Sequence, residues 1–480
     1  MATFAPTFEK TPHTRQNPNS LALKKSISGI RGTIGGRPDD NLTPVDLVLW
    51  TSAFGTWLRG RETPNRVVIG RDGRMSGAMV QDLVSNTLRF LGIDVIDLGL
   101  STTPTVEMAV PDLDAGAGII LTASHNPREW NALKLLDERG EFITQTDLDE
   151  LKNLVENQHF EFAEVDDLGK LIPAEDYLAK HIQHVLDHEL VDAEAVRARD
   201  YHVIVDCVNS TGAIAVPALL DKLGVAYTLL NAEVTGDFAH NPEPLPKNLQ
   251  QLAREVESSR ANLGIAVDPD VDRLAFVSED GRMFGEEYTL VAVADYILQH
   301  REGGAVSNLS STRALRDVAH KHGRTYTASA VGEVNVVTKM KETGAVIGGE
   351  GNGGVIVPDL HYGRDALAGI ALFLTHLAKT GGKASELRRT YPNYFMSKNK
   401  IELDDSIDLS ELFDKLAQKY KNAELNTIDG LKIDLEEGWI HIRPSNTEPI
   451  IRIYTESTST VFADNLAKKL MADVNEILKG

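Results

Sequence analysis

The stretch Ala117-Gly-Ile-Ile-Leu-Thr-Ala-Ser-His-Asn-Pro127 joins a short apolar run to a polar loop. An all-apolar run of this length is typical of a strand buried on both faces, as in a sheet covered by helices. In open α/β sheets, ligands bind at the carboxyl ends of the strands, where this loop begins. The stretch therefore predicts an α/β fold with a candidate functional loop.

The same pattern of strand and loop returns twice further along the chain. Leu263–Val267 leads into Asp268-Pro-Asp-Val-Asp-Arg273, and Ala345–Ile347 leads into Gly348-Gly-Glu-Gly-Asn-Gly-Gly354. Helical stretches separate the strands, so three similar α/β units are expected, with their loops over one cleft. A more polar final segment, in which a strand precedes Arg443-Pro-Ser-Asn-Thr-Glu-Pro449, predicts a smaller α+β domain.

Composition limits the classes of function. The chain has 480 residues, too many for one core, and a net charge of −21, which disfavours nucleic acid and anionic membranes as partners. Its single cysteine, Cys207, excludes an internal disulfide, and no apolar stretch is long enough to cross a membrane. We expect a cytoplasmic protein whose residues 1–20, rich in Thr, Pro and Asn, form a disordered extension.

Ser124 has two interpretations when its own hexapeptide is considered alone. A serine after a buried strand and beside an imidazole could be a nucleophile. Serine and asparagine are equally common as caps of a turn before proline. The surroundings lack the Gly-x-Ser-x-Gly elbow of a hydrolase, and the hexapeptide leaves both interpretations open.

The aspartates of the second loop predict a metal site. Asp268, Asp270 and Asp272 alternate along the chain after an apolar strand, and such oxygen ligands suit Mg²⁺. A calcium loop is less consistent, because its sixth position requires glycine and holds Arg273 here. Arg273 could bind a phosphate oxygen beside the ion.

Two further loops suggest recognition of a sugar and a phosphate. Glu350 and Asn352 in the glycine-rich loop could bond neighbouring hydroxyl groups, although a tight loop without a ligand is the alternative. The segment Arg443–Pro449, with Arg452 beyond it, could cradle a phosphate or could simply cap a helix. Near the start, the glycines of Ser28-Gly-Ile-Arg-Gly32 would let Arg31 reach inward.

In this order, the motifs SGIRG, TASHNP, DPDVDR, GE-x-x-G and RPS-x-TEP resemble those of the α-D-phosphohexomutase family. The resemblance runs from Ser28 to about Glu456 and implies four domains around a central cleft: three related α/β mixed-sheet units and then a smaller α+β C-terminal domain. On this basis we expect domain 1 at 21–165, domain 2 at 166–278, domain 3 at 279–385 and domain 4 at 386–480.

The resemblance also implies a role for each candidate residue. Ser124 would carry the transferable phosphate, primed by a sugar bisphosphate, and Lys134 would be the general acid/base. Mg²⁺ would be held by the three aspartates and the phosphate of Ser124. The remaining implied roles are assistance at the serine by Arg31 and His125, sugar contact by Arg273, Glu350 and Asn352, and phosphate binding by Arg443, Ser445, Asn446, Thr447 and Arg452.

Two inferences follow from this implied site. A cationic cleft with Arg31 nearby is expected to lower the pKa of Lys134. The sugar loop lacks the Ser and His of many members, and Ala330-Val-Gly-Glu-Val-Asn335 lacks a Lys or His seen in some.

Among hexose phosphates, the sugar loop is most similar to that of phosphoglucosamine-mutase-like members. A phosphoglucomutase/phosphomannomutase is the alternative, and a metal-dependent phosphatase or a non-catalytic sugar-phosphate-binding protein is more remote. The expected partners are small hexose phosphates, with the chain a monomer or homodimer.

Overall fold

The computed structural model describes residues 23–174, 176–402, 409–444 and 450–479. The expected extension at residues 1–20 lies outside these ranges. Within them, the strands form one sheet of seven strands, two of four and one of five. None of the helices described is both long and apolar enough to cross a membrane.

The first sheet has the strand order β1-β2-β6-β5-β3-β4-β7. β5 is buried along its whole length, as its apolar sequence predicted. β7 pairs with β4, so the first unit extends beyond the boundary expected at residue 165. Its elements are β1 (Lys24–Ser26), β2 (Gly29–Thr33), α1 (Pro44–Arg59), β3 (Arg66–Arg71), α2 (Gly77–Phe90), β4 (Asp94–Leu100), α3 (Thr103–Asp112), β5 (Ala117–Leu121), β6 (Trp130–Leu136), α4 (Gln145–Asn157) and β7 (Leu171–Pro173).

The second sheet has the order β11-β10-β8-β9, and helices flank its strands along the chain. Cys207, directly after β8, is buried as expected for a structural thiol. The elements of this unit are α5 (Tyr177–Asp187), α6 (Ala193–Arg197), β8 (His202–Asp206), α7 (Gly212–Leu223), β9 (Ala226–Leu230), α8 (Gln250–Ser259), β10 (Leu263–Val267) and β11 (Leu274–Ser278).

The third sheet has the order β13-β12-β14-β15. Helix α12 of this unit follows the cap residue Asp365, whose carboxylate accepts hydrogen bonds from the N–H groups of Leu367 and Ala368. The elements are α9 (Glu286–His300), β12 (Ala305–Asn308), α10 (Ala314–Lys321), β13 (Tyr326–Ser329), α11 (Glu333–Thr343), β14 (Ile347–Glu350), β15 (Gly354–Ile356), α12 (Ala366–Thr380) and α13 (Ala384–Arg389).

The three sheets share one arrangement of four strands. In each, two parallel strands lie beside a third parallel strand that returns through an antiparallel hairpin: β5–β6, β10–β11 or β14–β15. The Ser124 loop, the three-aspartate loop and the glycine-rich loop connect the strands of these hairpins. This repetition places the three loops at equivalent positions and confirms the prediction of three related α/β units.

The fourth sheet is antiparallel, with the order β16-β20-β19-β18-β17. Leu416 of α14 and Leu470 of α15 share one apolar core with Ile453 of β20, as expected for a smaller α+β domain. Its elements are β16 (Phe395–Glu402), α14 (Leu409–Lys419), β17 (Glu424–Asn426), β18 (Leu431–Leu435), β19 (Gly438–Pro444), β20 (Ile450–Ser457) and α15 (Thr460–Lys479).

The second and third units share one apolar core, whereas the first has its own. A continuous buried cluster runs from Ile182 to Tyr391, and within it Phe276 of β11 stacks on Phe373 of α12 with ring centroids 3.9 Å apart. The largest cluster of the first unit, which includes Ile119 and Leu133, is separate. Polar loops therefore fill the space between the two bodies, and this space holds the candidate site.

Candidate active site

The Ser124 side chain lies at the centre of the polar space. Its Oγ donates to Asp268 Oδ2 at 2.9 Å and lies 3.3 Å from His125 Nδ1, so the adjacent imidazole does turn back towards the serine. The backbone of Ser124 has φ of 49°, in the left-handed region that costs energy for a residue with a side chain. A hydrogen bond from the Ser124 N–H to Thr122 Oγ1 at 2.9 Å helps to hold this conformation.

Arg74 holds the Ser124 loop from behind, a role that sequence reasoning missed. Arg74 is buried and forms an ion pair of 3.0 Å with buried Asp72. Its guanidinium donates to four carbonyl oxygens of the loop, those of Ser124 (2.6 Å), Asn126 (2.7 Å), Pro127 (2.8 Å) and Trp130 (2.9 Å). One buried cation thus satisfies a turn that would otherwise leave carbonyl groups without partners.

The three aspartates have a geometry that fits a hard cation. Asp268, Asp270 and Asp272 are 0% exposed, and each offers a ligand atom within 4.8 Å of the others. Oδ1 of Asp270 and Oδ1 of Asp272 are buried without a hydrogen-bond partner, a costly state that a bound ion relieves. Burial, together with Asp272 and Asp270, raises the pKa of Asp268 well above its usual range. These residues therefore suit Mg²⁺ as the sequence predicted.

Lys134 lies against the metal loop, and its electrostatic surroundings differ from the expectation. Its Nζ donates to Asp270 Oδ2 at 2.6 Å and to Asp272 Oδ2 at 3.1 Å. Burial lowers the pKa of Lys134, but the two aspartates raise it more, so the net pKa lies above the usual value. The expected lowering by Arg31 is wrong because Lys134 faces carboxylates rather than that guanidinium.

Thr103, at the start of α3, completes the contacts of Asp270. Its Oγ1 donates to Asp270 Oδ2 at 2.6 Å, and its N–H donates to the Asp270 carbonyl at 2.9 Å. Lys134 Nζ in turn lies 3.2 Å from Thr103 Oγ1. A residue of the first unit thereby positions a candidate metal ligand of the second, and no motif in the sequence indicated it.

Arg364 joins the metal loop to the glycine-rich loop. Its guanidinium contacts Asp272 Oδ2 at 2.7 Å, Glu350 Oε2 at 3.1 Å and Glu333 Oε2 at 3.1 Å. Arg364 comes directly before the cap of α12, a position where the sequence had indicated only the start of a helix. These three contacts make Arg364 the main connection between the metal loop and the glycine-rich loop.

The glycine-rich loop places its two predicted residues differently. Glu350 is buried and lines the central cavity, whereas Asn352 is not among the residues on the cavity wall. Asn352 donates to Glu350 Oε2 at 3.2 Å and accepts from the Gly354 N–H at 3.1 Å, so its amide is engaged within the loop. The structure therefore brings Glu350, but not Asn352, to the expected sugar position.

Ser124, His125, Lys134, Glu350 and Arg364 lie on the wall of a cavity of about 320 Å³, a volume suited to a small phosphorylated molecule. Burial, with Arg273 and Arg31 nearby, lowers the pKa of His125 well below its usual value. Arg31 is held by Asn126 Oδ1 at 2.8 Å. Basic side chains reverse the acidic character of the protein here, and those on the wall are Arg31, Lys134, Arg273, Arg364, Arg443 and Arg452.

The fourth domain contributes two of these cations. Arg443 and Arg452 are directly opposite each other on β19 and β20 and both line the cavity, so their guanidinium groups can approach the same anion. Arg443 also lies 3.0 Å from Asp429 Oδ2. Of the predicted phosphate-binding residues between these strands, Ser445, Asn446 and Thr447 lie outside the described residues.

Family models match the chain in four consecutive parts. The phosphoglucomutase/phosphomannomutase α/β/α domains I, II and III match residues 23–162, 179–281 and 285–394. The C-terminal domain of the same family matches residues 400–473. Each match falls on one of the four sheets described above, although β7 of the first sheet lies outside the match to domain I.

Similar proteins include two archaeal relatives and one solved structure. A phosphoglucomutase/phosphomannomutase of Thermococcus kodakarensis is 36% identical over 457 residues, covering 94% of this chain and 99% of the relative. A probable phosphoglucosamine mutase of Methanopyrus kandleri is 33% identical, covering 90% and 93%. The crystal structure of a phosphoglucomutase/phosphomannomutase family protein of Burkholderia thailandensis has a TM-score of 0.83 at 26% identity, covering 96% of this chain and 98% of that chain. The chain therefore belongs to the phosphoglucomutase/phosphomannomutase family and is a phosphohexomutase, an isomerase that transfers a phosphoryl group within its substrate.

Proposed function

We propose that this enzyme interconverts a hexose 6-phosphate and a hexose 1-phosphate through phosphorylated Ser124 and a bisphosphorylated sugar. The observation that carries the proposal is the hydrogen bond from Ser124 Oγ to Asp268, at a cavity lined by six basic side chains. Phosphoryl transfer requires mainly positioning and neutralisation of charge, and this arrangement supplies both.

The transfer conserves one phosphoryl group and one proton. A sugar hydroxyl oxygen attacks the phosphorus of phosphorylated Ser124, forming an O–P bond as the bond from phosphorus to Ser124 Oγ breaks. The hydroxyl proton passes to Lys134, which would be neutral once the bound ion offsets Asp270 and Asp272, and Lys134 returns it to the sugar oxygen that is released when the other phosphate moves to Ser124 Oγ. The bisphosphorylated sugar then presents its other phosphate to Ser124 Oγ, so the serine is phosphorylated again.

Mg²⁺ would be held by Asp268, Asp270, Asp272 and an oxygen of phosphorylated Ser124. Bound there, the ion would neutralise charge on the phosphoryl group and weaken the field that the aspartates exert on Lys134. Arg31 and His125 would orient the phosphoserine, and Arg273 would contact the sugar.

Arg443 and Arg452 would bind the phosphate that is not being transferred. Their facing positions on neighbouring strands support this role, since two guanidinium groups can share one phosphate. Ser445, Asn446 and Thr447 are proposed for the same phosphate on the family motif alone. The two phosphate positions of the substrate would then alternate between this site and Ser124.

The proposed substrate is glucosamine phosphate, with glucose or mannose phosphate as the alternative. The relatives named above support both possibilities, because one is a probable phosphoglucosamine mutase and the other a phosphoglucomutase/phosphomannomutase. The carboxylate of Glu333 on the cavity wall favours the amino sugar.

The experiment is ³¹P NMR of the purified protein with Mg²⁺ and a hexose bisphosphate primer. The 6-phosphates of glucosamine, glucose and mannose are supplied in separate samples. Conversion of any of them to its 1-phosphate supports the mutase, and the relative rates identify the sugar. Release of inorganic phosphate without a 1-phosphate product would contradict it.

A further inference from the structure

Glu333 is an acidic residue on the cavity wall that the proposed mechanism does not use. It is the first residue of α11, and its side chain is 9% exposed. Oε1 accepts from the Arg364 backbone N–H at 3.0 Å, and Oε2 accepts from Arg364 Nε at 3.1 Å. One arginine therefore holds the carboxylate in a fixed orientation at the edge of the cavity.

Glu333 and its neighbour Glu350 differ in how fully their oxygens are used. Glu350 accepts hydrogen bonds from four groups of the protein: Asn308 Nδ2, the Gly332 N–H, Asn352 Nδ2 and Arg364 Nη1. A carboxylate has about four acceptor sites, so these bonds occupy Glu350 fully. Among the described residues, Glu333 receives only the two bonds from Arg364 and keeps acceptor capacity for a ligand.

The charges on the cavity wall are separated in space by domain. The cations of the fourth domain, Arg443 and Arg452, suit a phosphate. On the wall formed by the third unit, Glu333 and Glu350 share one cation, Arg364, which also contacts Asp272, itself paired with Lys134. The two carboxylates of this wall therefore outnumber the guanidinium that contacts them, at the position where the sugar ring would lie.

An ammonium group is the ligand chemistry that such a wall favours. It carries a positive charge and donates up to three hydrogen bonds, whereas a neutral hydroxyl carries no charge and donates one. A neutral hydroxyl would also bond Glu333, but it would leave the excess charge of the wall without a counter-ion. An N-acetyl group would bring no charge and a bulkier substituent.

We propose that Glu333 is the residue that determines sugar specificity, accepting a hydrogen bond from the ammonium group of a 2-amino-2-deoxyhexose phosphate. The inference rests on the proposed mutase function and extends it to the class of sugar. Arg364 acts as the positioning residue that orients Glu333.

The test compares kcat/KM of three substrates, the 6-phosphates of glucosamine, glucose and N-acetylglucosamine, in the wild type and in Glu333→Gln. Glutamine keeps the shape and one acceptor oxygen but removes the charge. We expect the variant to lose roughly 10- to 100-fold more kcat/KM for glucosamine 6-phosphate than for glucose 6-phosphate. The matched control is Glu302→Gln in the same unit, where the side chain is 89% exposed, and it should leave the ratio unchanged.

The ratio of kcat/KM for glucosamine 6-phosphate to kcat/KM for glucose 6-phosphate distinguishes recognition of the ammonium group from a purely structural effect of Glu333. If Glu333 only held Arg364, its loss would lower kcat/KM for all three substrates alike, and the inference would be overturned. A wild-type preference for glucose 6-phosphate would overturn it too. Glu333→Asp keeps the charge and is expected to retain a preference for the amino sugar, which provides a second test if the glutamine variant does not fold.

Failure of the proposed mutase function would give a different result from failure of the specificity inference. If the wild type converts none of the three substrates with Mg²⁺ and a bisphosphate primer, the proposed function is wrong and the inference falls with it. Conversion of at least one, with an unchanged glucosamine-to-glucose ratio in Glu333→Gln, overturns the inference alone.

Discussion

Ser124 Oγ donates to Asp268 Oδ2 at 2.9 Å, although the two residues are 144 positions apart in the chain. The contact joins a hairpin loop of the first sheet to the equivalent loop of the second. The proposed nucleophile on the first core and the candidate metal loop on the second therefore lie in direct contact.

Replacing Asp270 by Asn should weaken metal binding. The variant removes one of three buried charges and one of the two carboxylate oxygens that lack a partner. We expect the Mg²⁺ concentration for half-maximal activity to rise at least about tenfold. Titration of activity with Mg²⁺ measures this, with Asp166→Asn at an exposed position as control. An unchanged Mg²⁺ concentration for half-maximal activity would show that this loop does not bind the metal ion.

Replacing Arg364 by Lys should lower kcat/KM by about 100-fold or more, because a point charge cannot contact three carboxylates as a guanidinium does. Both kcat and the apparent affinity for Mg²⁺ should fall, since Asp272 loses a partner. The control is Arg282→Lys, whose side chain is 86% exposed. A change in KM alone would show that Arg364 only binds substrate.

Replacing Arg74 by Met should destabilise the fold by about 3–5 kcal/mol, because Asp72 is left as a buried charge without its partner. Four loop carbonyls also lose their donor. Chemical denaturation measures the free energy of unfolding, with Arg254→Met on the exposed face of α8 as control. Equal stability of the two variants would be incompatible with the proposed support of the Ser124 loop.

The junction around His361 should make stability depend on pH. Burial lowers the pKa of His361, but the nearby carboxylates of Asp365 and Glu107 raise it more, to about 10. Asp365 also contacts His181 of the second unit, at 2.9 Å. Because the folded-state pKa lies above the unfolded value of about 6.5, this stabilisation is complete below that pH and is lost as the pH rises towards 10.

The measurement compares the free energy of unfolding of the wild type and His361→Gln across this pH range. The variant should be less stable than the wild type by about 1 kcal/mol or more near pH 6, and the difference should shrink towards pH 10. A difference that stays constant with pH would show that His361 contributes through packing rather than charge.

Local patterns predicted the strands and loops but not the contacts between them. The apolar runs Ala117–Leu121 and Leu263–Val267 are strands as expected, and the loops after them meet as inferred from the topology. The return strands such as β6 were not predicted, because Trp130–Leu136 contains Asn131 and Lys134 among its apolar residues. The burial of β6 depends on its neighbours β2 and β5 and on the apolar core of the first unit, which the local sequence does not specify.

The same limit explains the residues that were missed at the site. Arg364, Arg74 and Thr103 are ordinary polar residues beside helix or turn signals, and nothing in their neighbourhoods indicates a functional contact. The raised pKa of Lys134 was missed for a related reason: the sequence placed it near Arg31, and only the fold shows that it faces Asp270 and Asp272.

The most direct test of the central claim is mass spectrometry of the Ser124 peptide after incubation with Mg²⁺ and a hexose 1,6-bisphosphate. The account predicts that the wild type gains one phosphate on Ser124 and passes it to a hexose monophosphate. Ser124→Ala should gain none and lose mutase turnover, while still binding hexose phosphate by calorimetry. A variant that lacks the serine yet retains substantial turnover would contradict the account.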